Sequence, residues 1–208
     1  MSGLQTGGAY ILSFLWQDAG HAGRRQSVAL AAGEDGAWEP VLPPSVPAAF
    51  DAGKPVPARI LLPLPEKLVQ QGAFRIAFLN EAGPDVVVNE ILLLEQKKQA
   101  GRRRVLIVTG DDYPGHRWRD TAPVLAEILR KDPRLEVSIT ESPSIYGSPL
   151  IAHYDATVLH FKDYADRMPL DQSVYAGFAA AVEKGQGLVL AHFGCGAFQE
   201  WPGFEKVA

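Results

Sequence analysis

Gly187-Leu188-Val189-Leu190-Ala191-His192-Phe193-Gly194-Cys195-Gly196 places four apolar residues between small flanks, then a histidine, a glycine and the only cysteine of the chain. An apolar run this short predicts a buried strand over Leu188–Ala191. In a parallel sheet, ligands bind at the carboxyl ends of strands, where loops and helix N-termini converge. A polar side chain on a sharp turn at that place is a candidate reactive group. His192 and Cys195 therefore come first, against the plainer reading that the glycines only shape a turn.

The sequence on either side supplies the rest of such a sheet. Val105–Thr109 reads as a strand ending at Gly110. Asp120 is a candidate cap for a helix over Thr121–Lys131, with Val124, Leu125, Ile128 and Leu129 as one apolar stripe. Pro123 is tolerated because the first helical turn has no hydrogen bond to lose. Leu135–Thr140 and Ala156–Phe161 read as further strands. Asp171 or Ser173 opens a second helix, with Val174, Phe178 and Val182 on one face and Gly185 as its stop. Alternating strands and helices predict a parallel sheet with right-handed crossovers.

Residues 1–96 have a different period. Ala9–Trp16, Ser27–Ala32, Ala37–Leu42, Ala58–Leu62, Ala73–Asn80 and Val86–Glu95 read as strands, and Phe74, Ile76 and Phe78 alternate along one of them. Glu34-Asp35-Gly36 signals a hairpin, with Gly36 able to take positive φ. Pro40, Pro43, Pro44, Pro47, Pro55 and Pro57 predict a long non-helical connection, and Pro65–Gln71 a short helical turn. The expected organisation is an antiparallel, jelly-roll-like β-sandwich over 1–96, a linker at 97–103, and an α/β domain over 104–208. The basic cluster Lys97, Lys98, Arg102, Arg103 and Arg104 is read as part of a solvated linker.

Composition narrows the function classes. The 208 residues are 47% hydrophobic and 21% charged, with a net charge of −4. Neither half is a polycation, which disfavours nucleic acid as partner. No apolar run approaches the roughly 20 residues of a membrane helix. Met1 to Trp16 lacks the features of a signal peptide, so the default expectation is cytoplasmic, or periplasmic or secreted if an upstream signal exists. One cysteine makes no internal disulfide. Walker and dinucleotide spacings are absent, as is a zinc array.

Arg104–Gly110, the later Gly115-His116-Arg117-Trp118, the segment 154–164 (YDATVLHFKDY) and the segment 185–208 (GQGLVLAHFGCGAFQEWPGFEKVA) together resemble the ThuA-like (trehalose-utilisation) family. The resemblance is collinear over 104–208. It implies a class I glutamine-amidotransferase-like (flavodoxin-like) α/β fold, a link to sugar metabolism, and a domain that continues past Ala208. Amidotransferases of this fold carry cysteine in a Gly-x-Cys-x-Gly turn. Here Leu190-Ala191-His192-Phe193-Gly194 aligns with it, so histidine stands at the nucleophile position and Cys195 lies three residues later. LPLPEKL at 62–68 and VVVNEILLLE at 86–95 resemble galactose-binding-like β-sandwiches.

Several side chains are candidates for the site. His192 suits acid–base chemistry or a metal, or is a strand-end histidine bonded to a carbonyl. His116, in the loop after the first α/β strand, is expected to converge with it, or is a surface histidine. Asp111 and Asp112 are candidates to orient that histidine, contact substrate or offer oxygen ligands to a divalent metal, with capping as the alternative. Lys162 and Asp163 fall on the same edge, or are solvated loop charges. Trp118 and Trp201 suit stacking on a sugar ring, or packing. Cys195 is an alternative nucleophile for a hydrolase or amidotransferase, or a small buried thiol. His21, His153 and His160 offer no constellation in the sequence and are read as structural. The expected ligand is a carbohydrate or small polar molecule, bound with or without turnover, and a homo-oligomer is compatible with the pattern.

Overall fold

A computed structural model of the chain describes residues 1, 3–96, 101–163 and 166–207. Lys97 and Lys98 of the basic cluster, most of the expected linker and Tyr164 of the 154–164 segment lie outside the described residues. In chain order the strands are β1 (Ala9–Trp16), β2 (Arg25–Ala32), β3 (Glu39–Ser45), β4 (Ala49–Asp51), β5 (Lys54–Val56), β6 (Ala58–Pro63), β7 (Phe74–Ala82), β8 (Val88–Gln96), β9 (Arg103–Val108), β10 (Leu135–Thr140), β11 (Ala156–Leu159) and β12 (Gly187–Leu190). The α-helices are α1 (Glu66–Gln70), α2 (Trp118–Arg130), α3 (Gln172–Glu183) and α4 (Phe204–Val207).

The first eight strands form two three-stranded antiparallel sheets, ordered β6-β1-β8 and β3-β2-β7, plus the small β4–β5 hairpin. The last four form a parallel sheet ordered β10-β9-β11-β12. β1 runs through the middle of its sheet. Its Leu12, Phe14 and Trp16 are fully buried, and Phe14 meets Phe78 of the other sheet edge-on at 5.0 Å between ring centroids. Burying each such aromatic contributes about 2–3 kcal/mol.

Three local expectations are corrected. The proline-rich segment is non-helical, as expected, but less of it is connection: Pro43 and Pro44 extend β3, the strand that holds Pro40, and Pro55 lies in β5. Both strands pair on one side only, so missing N–H groups can face outward. In the Glu34-Asp35-Gly36 turn it is Gly33 that takes positive φ, at 56°. Gly36 is required for space, since a Cβ there would lie 2.1 Å from the Ala32 carbonyl oxygen. β12 is an edge strand, paired with β11 alone, so Val189 and Leu190 are exposed rather than buried.

α2 departs from its expected start and packing, and Pro123 lies inside the helix rather than in its first turn. It begins at Trp118, not Thr121, because the Asp112 carboxylate accepts the Trp118 N–H at 2.6 Å and does the work expected of Asp120. Ala122 and Ala126 seat the helix on Val105, Ile107, Val137 and Val158, with Leu125 and Leu129 flanking. Val124 and Ile128, half of the expected stripe, point to solvent. α3 starts as read: Asp171 caps it by accepting the Ser173 N–H at 2.9 Å, and Gly185 follows its end at φ 90°.

The two regions share one contiguous core, in which Phe14, Trp16 and Leu30 join Leu106, Tyr146, Phe178 and Phe198. Backbone bonds stitch the seam. The Phe50 N–H donates to the Gly110 carbonyl at 2.7 Å, and the Glu141 N–H donates to the Arg59 carbonyl at 2.9 Å. The Arg59 N–H returns a bond to the Glu141 carboxylate at 2.7 Å. Consequently the loop after β9 is held from both regions.

Candidate functional site

Three parallel strands deliver a histidine each to the carboxyl edge. β11 ends at Leu159 and His160 follows, its N–H donating to the Val108 carbonyl at 2.8 Å and its carbonyl accepting from the Thr109 hydroxyl at 2.9 Å. His116 sits in a tight turn closed by its N–H to the Tyr113 carbonyl at 2.9 Å. β12 continues through Ala191, whose N–H donates to the Leu159 carbonyl at 3.0 Å, into a 3-10 turn over His192–Gly196.

His192 opens that turn with φ 50°, a left-handed conformation that costs a non-glycine residue about 1 kcal/mol. Gly194 is obligatory beneath it, because a Cβ there would lie 2.4 Å from the Leu159 carbonyl oxygen. The turn therefore brings its backbone hard against β11 and pushes His192 outward.

The rings of His116 and His160 are 5.0 Å apart between centroids, and those of His116 and His192 5.3 Å. Phe193 meets the rings of both His116 and His192 edge-on, at 4.9 and 4.1 Å. His116 and His160 are buried and His192 is exposed. Burial first, then the neighbouring His192, lowers the His116 pKa from its ordinary value. Burial first, then His116, lowers that of His160. Two charges 5 Å apart at an effective dielectric of 20 repel by about 3 kcal/mol, so a doubly protonated cluster is disfavoured. Near neutral pH the buried pair is uncharged, a state in which imidazole both accepts and donates protons. The His160 Nδ1 is buried without a partner, and its Nε2 lies 3.4 Å from the Thr121 hydroxyl.

His160, expected to be structural, completes the cluster: the strand expected to run through it to Phe161 ends at Leu159, which leaves His160 on the ligand edge.

The acidic and aromatic candidates are placed differently. Asp111 is fully buried with a carboxylate oxygen 2.9 Å from the Arg167 guanidinium. The Asp112 carboxylate accepts the N–H groups of Trp118 and Ala52, the latter at 2.8 Å from across the seam. Burial raises its pKa while those two bonds pull it down. Both acids are thus structural, and neither presents a carboxylate to substrate. Trp118 is core: it is 2% exposed, its indole N–H donates to the Phe50 carbonyl at 2.9 Å, and no ring face is open to a sugar. Trp201 is half-buried and stacks on Tyr175 at 5.6 Å.

Lys162 is half-buried, its N–H 3.4 Å from the Asp111 carbonyl and its stem beside Gly196. Asp163, read as a ligand-edge residue or a solvated loop charge, is fully buried with neither carboxylate oxygen hydrogen-bonded. Burial, reinforced by Glu200, pushes its pKa up to about 6. Cys195 is exposed, not the buried thiol of the plainer reading.

Among the described residues no group of three or more His, Cys, Asp or Glu side chains is arranged to hold a metal ion. A cavity of about 910 Å³ lies elsewhere, at the amino edge of the parallel sheet, lined by Tyr146, Tyr154, Ser173, Gln186, Arg103 and Asp155. Its ionisable pair Arg103–Asp155 is already joined at 3.3 Å, so the convergent chemistry lies with the histidines. Among the described residues no helix is long and apolar enough to cross a membrane. Compared with protein-family models, curated proteins and solved structures, the chain matches none.

Proposed function

We propose that this chain is a ThuA-like protein that recognises or processes a carbohydrate through a histidine-centred site at the carboxyl edge of its parallel sheet. His192 is the presented group, and His116 and His160 stand behind it. The observation that carries this reading is the strained turn: a non-glycine residue at φ 50°, at a strand end, with two more imidazoles behind it. Strain of this kind concentrates at functional sites because the surrounding fold must enforce it. By the sequence resemblance the turn falls where class I amidotransferases carry their cysteine, which supports reading the α/β region as class I amidotransferase-like. On the same reading the β region is a galactose-binding-like sandwich. Its role would be to hold the β9 loop, and with it His116, through the Ala52–Asp112 bond.

In an enzymatic mechanism His192 takes or gives the proton at a sugar hydroxyl or glycosidic oxygen, with the His116 ring 5.3 Å away between centroids. His192→Ala abolishes turnover of, or binding to, the sugar and leaves thermal unfolding within a degree or two. Unchanged activity in that variant removes the assignment. Cys195 supports a second reading, a thiol-dependent hydrolase, because its side chain is exposed on the same turn. Activity that survives Cys195→Ser, with His192→Ala inactive, decides between them.

A further inference from the structure

We infer that the histidine site takes an anionic carbohydrate, one bearing a carboxylate or a phosphate-like ester. This rests on the carbohydrate reading above and adds the ligand's charge.

The first observation is an imbalance. Three imidazoles converge, and among the described residues no hydrogen bond or ion pair joins any of their rings to a carboxylate. The acids nearest in the chain are committed elsewhere: Asp111 to Arg167, and Asp112 to two backbone N–H groups. Asp163 is buried where Glu200 and Tyr175 feel its charge. The second is an orphan donor or acceptor. His160 is 5% exposed, and its buried Nδ1 has no protein partner.

The remaining ionisable groups on the packed elements are Tyr113, Arg117 and Asp120 after β9, Lys162 after β11, Cys195 and Glu200 after β12, and Asp51 from the β4–β5 hairpin. Arg117 is 3.4 Å from Asp120 and 3.8 Å from Asp51, so those two acids face a guanidinium.

Without a ligand, burial and the neighbouring imidazoles favour the neutral form of His116 and His160. A bound anion reverses the balance: each imidazole that becomes charged takes its proton from solvent, and the anion offsets the repulsion. Binding is therefore linked to proton uptake and strengthens as pH falls through the histidine range.

The test is calorimetric titration of the full chain with four probes: D-glucose, D-glucuronate, D-glucose 6-sulfate and inorganic sulfate. None of the anions titrates near neutrality. Each is measured at about pH 5.5 and about pH 7.5, in buffers of different ionisation enthalpy, with the fold checked by circular dichroism. The expected result is that an anionic sugar binds about tenfold or more tightly at the lower pH, with net proton uptake. Glucose shows neither effect, and His116→Asn loses the uptake. Glucuronate against glucose 6-sulfate tells a carboxylate from an ester. Equal binding of glucose and both charged sugars, or anion binding that tightens as pH rises, overturns the inference. In that case loss of glucose binding in His192→Ala leaves the carbohydrate reading standing. Sulfate binding with uptake but no sugar binding supports the anion preference and rejects the carbohydrate. No binding by any probe rejects both.

Discussion

The loop after β9 and the turn after β12 meet at the same sheet edge, yet they use their polar residues in opposite ways. In the first, Asp111 and Asp112 are buried and spent on the fold, one against Arg167 and the other on two N–H groups. In the second, the backbone is strained so that His192 is held out. A polar side chain at a ligand edge is thus not yet a ligand-binding side chain. What separates the two is whether the fold already satisfies it. His116 belongs to the first loop but follows the logic of the second, because its ring faces His160 and His192 rather than a carboxylate.

The comparison breaks most readily at Asp112. Asp112→Ala deletes two charge-assisted bonds, one of which spans the seam, and lowers unfolding free energy by about 4 kcal/mol in urea melts. A loss below about 1 kcal/mol would mean that the carboxylate is spare and open to a functional role.

Asp163 tests the β11 loop between them. Its folded-state pKa of about 6 lies above its unfolded value, so the folded state binds the extra proton between about pH 4 and pH 6. Its contribution to stability is greatest below that window and is lost as pH rises through it, by about 3 kcal/mol. The buried histidines act with the opposite sign: their lowered pKa values favour the neutral ring, so stability falls as pH drops below about 6.5. Asp163→Asn therefore flattens the falling limb and is more stable than the parent at neutral pH. A stability profile identical to the parent's from acid to neutral pH would show that Asp163 is ionised in the fold.

The smallest effect sharpens the other side. His192→Gly relieves the left-handed backbone and raises stability by about 0.5–1 kcal/mol, while losing ligand binding. A destabilised variant would mean that the imidazole is structural, as the aspartates are.

Much of this architecture was legible locally. The strands at Ala9–Trp16 and Leu135–Thr140 have the ends that alternation and apolar runs predict, and α3 starts at its Asp cap. The proline segment is non-helical as its composition predicts, but its strands are not legible locally, because tolerance of proline depends on whether a strand has one neighbour or two. The start of α2 was missed because its cap comes from a carboxylate six residues upstream, across a turn. His160 was passed over because a lone histidine carries no spacing signal until β11 is seated between β9 and β12.

The sequence by itself determined two patterned regions, the strand and helix periods within them, and an edge at which His192 follows a strand. Periodicity and turn chemistry act over a few residues, so they survive without a fold. Only the tertiary structure decided which polar groups that edge retains. Asp112 is satisfied by Ala52, 60 positions away, and His116 meets His160 and His192 from two other strands. Burial and pairing are set by such distant contacts, and they turned the expected acids into struts and an overlooked histidine into part of the site.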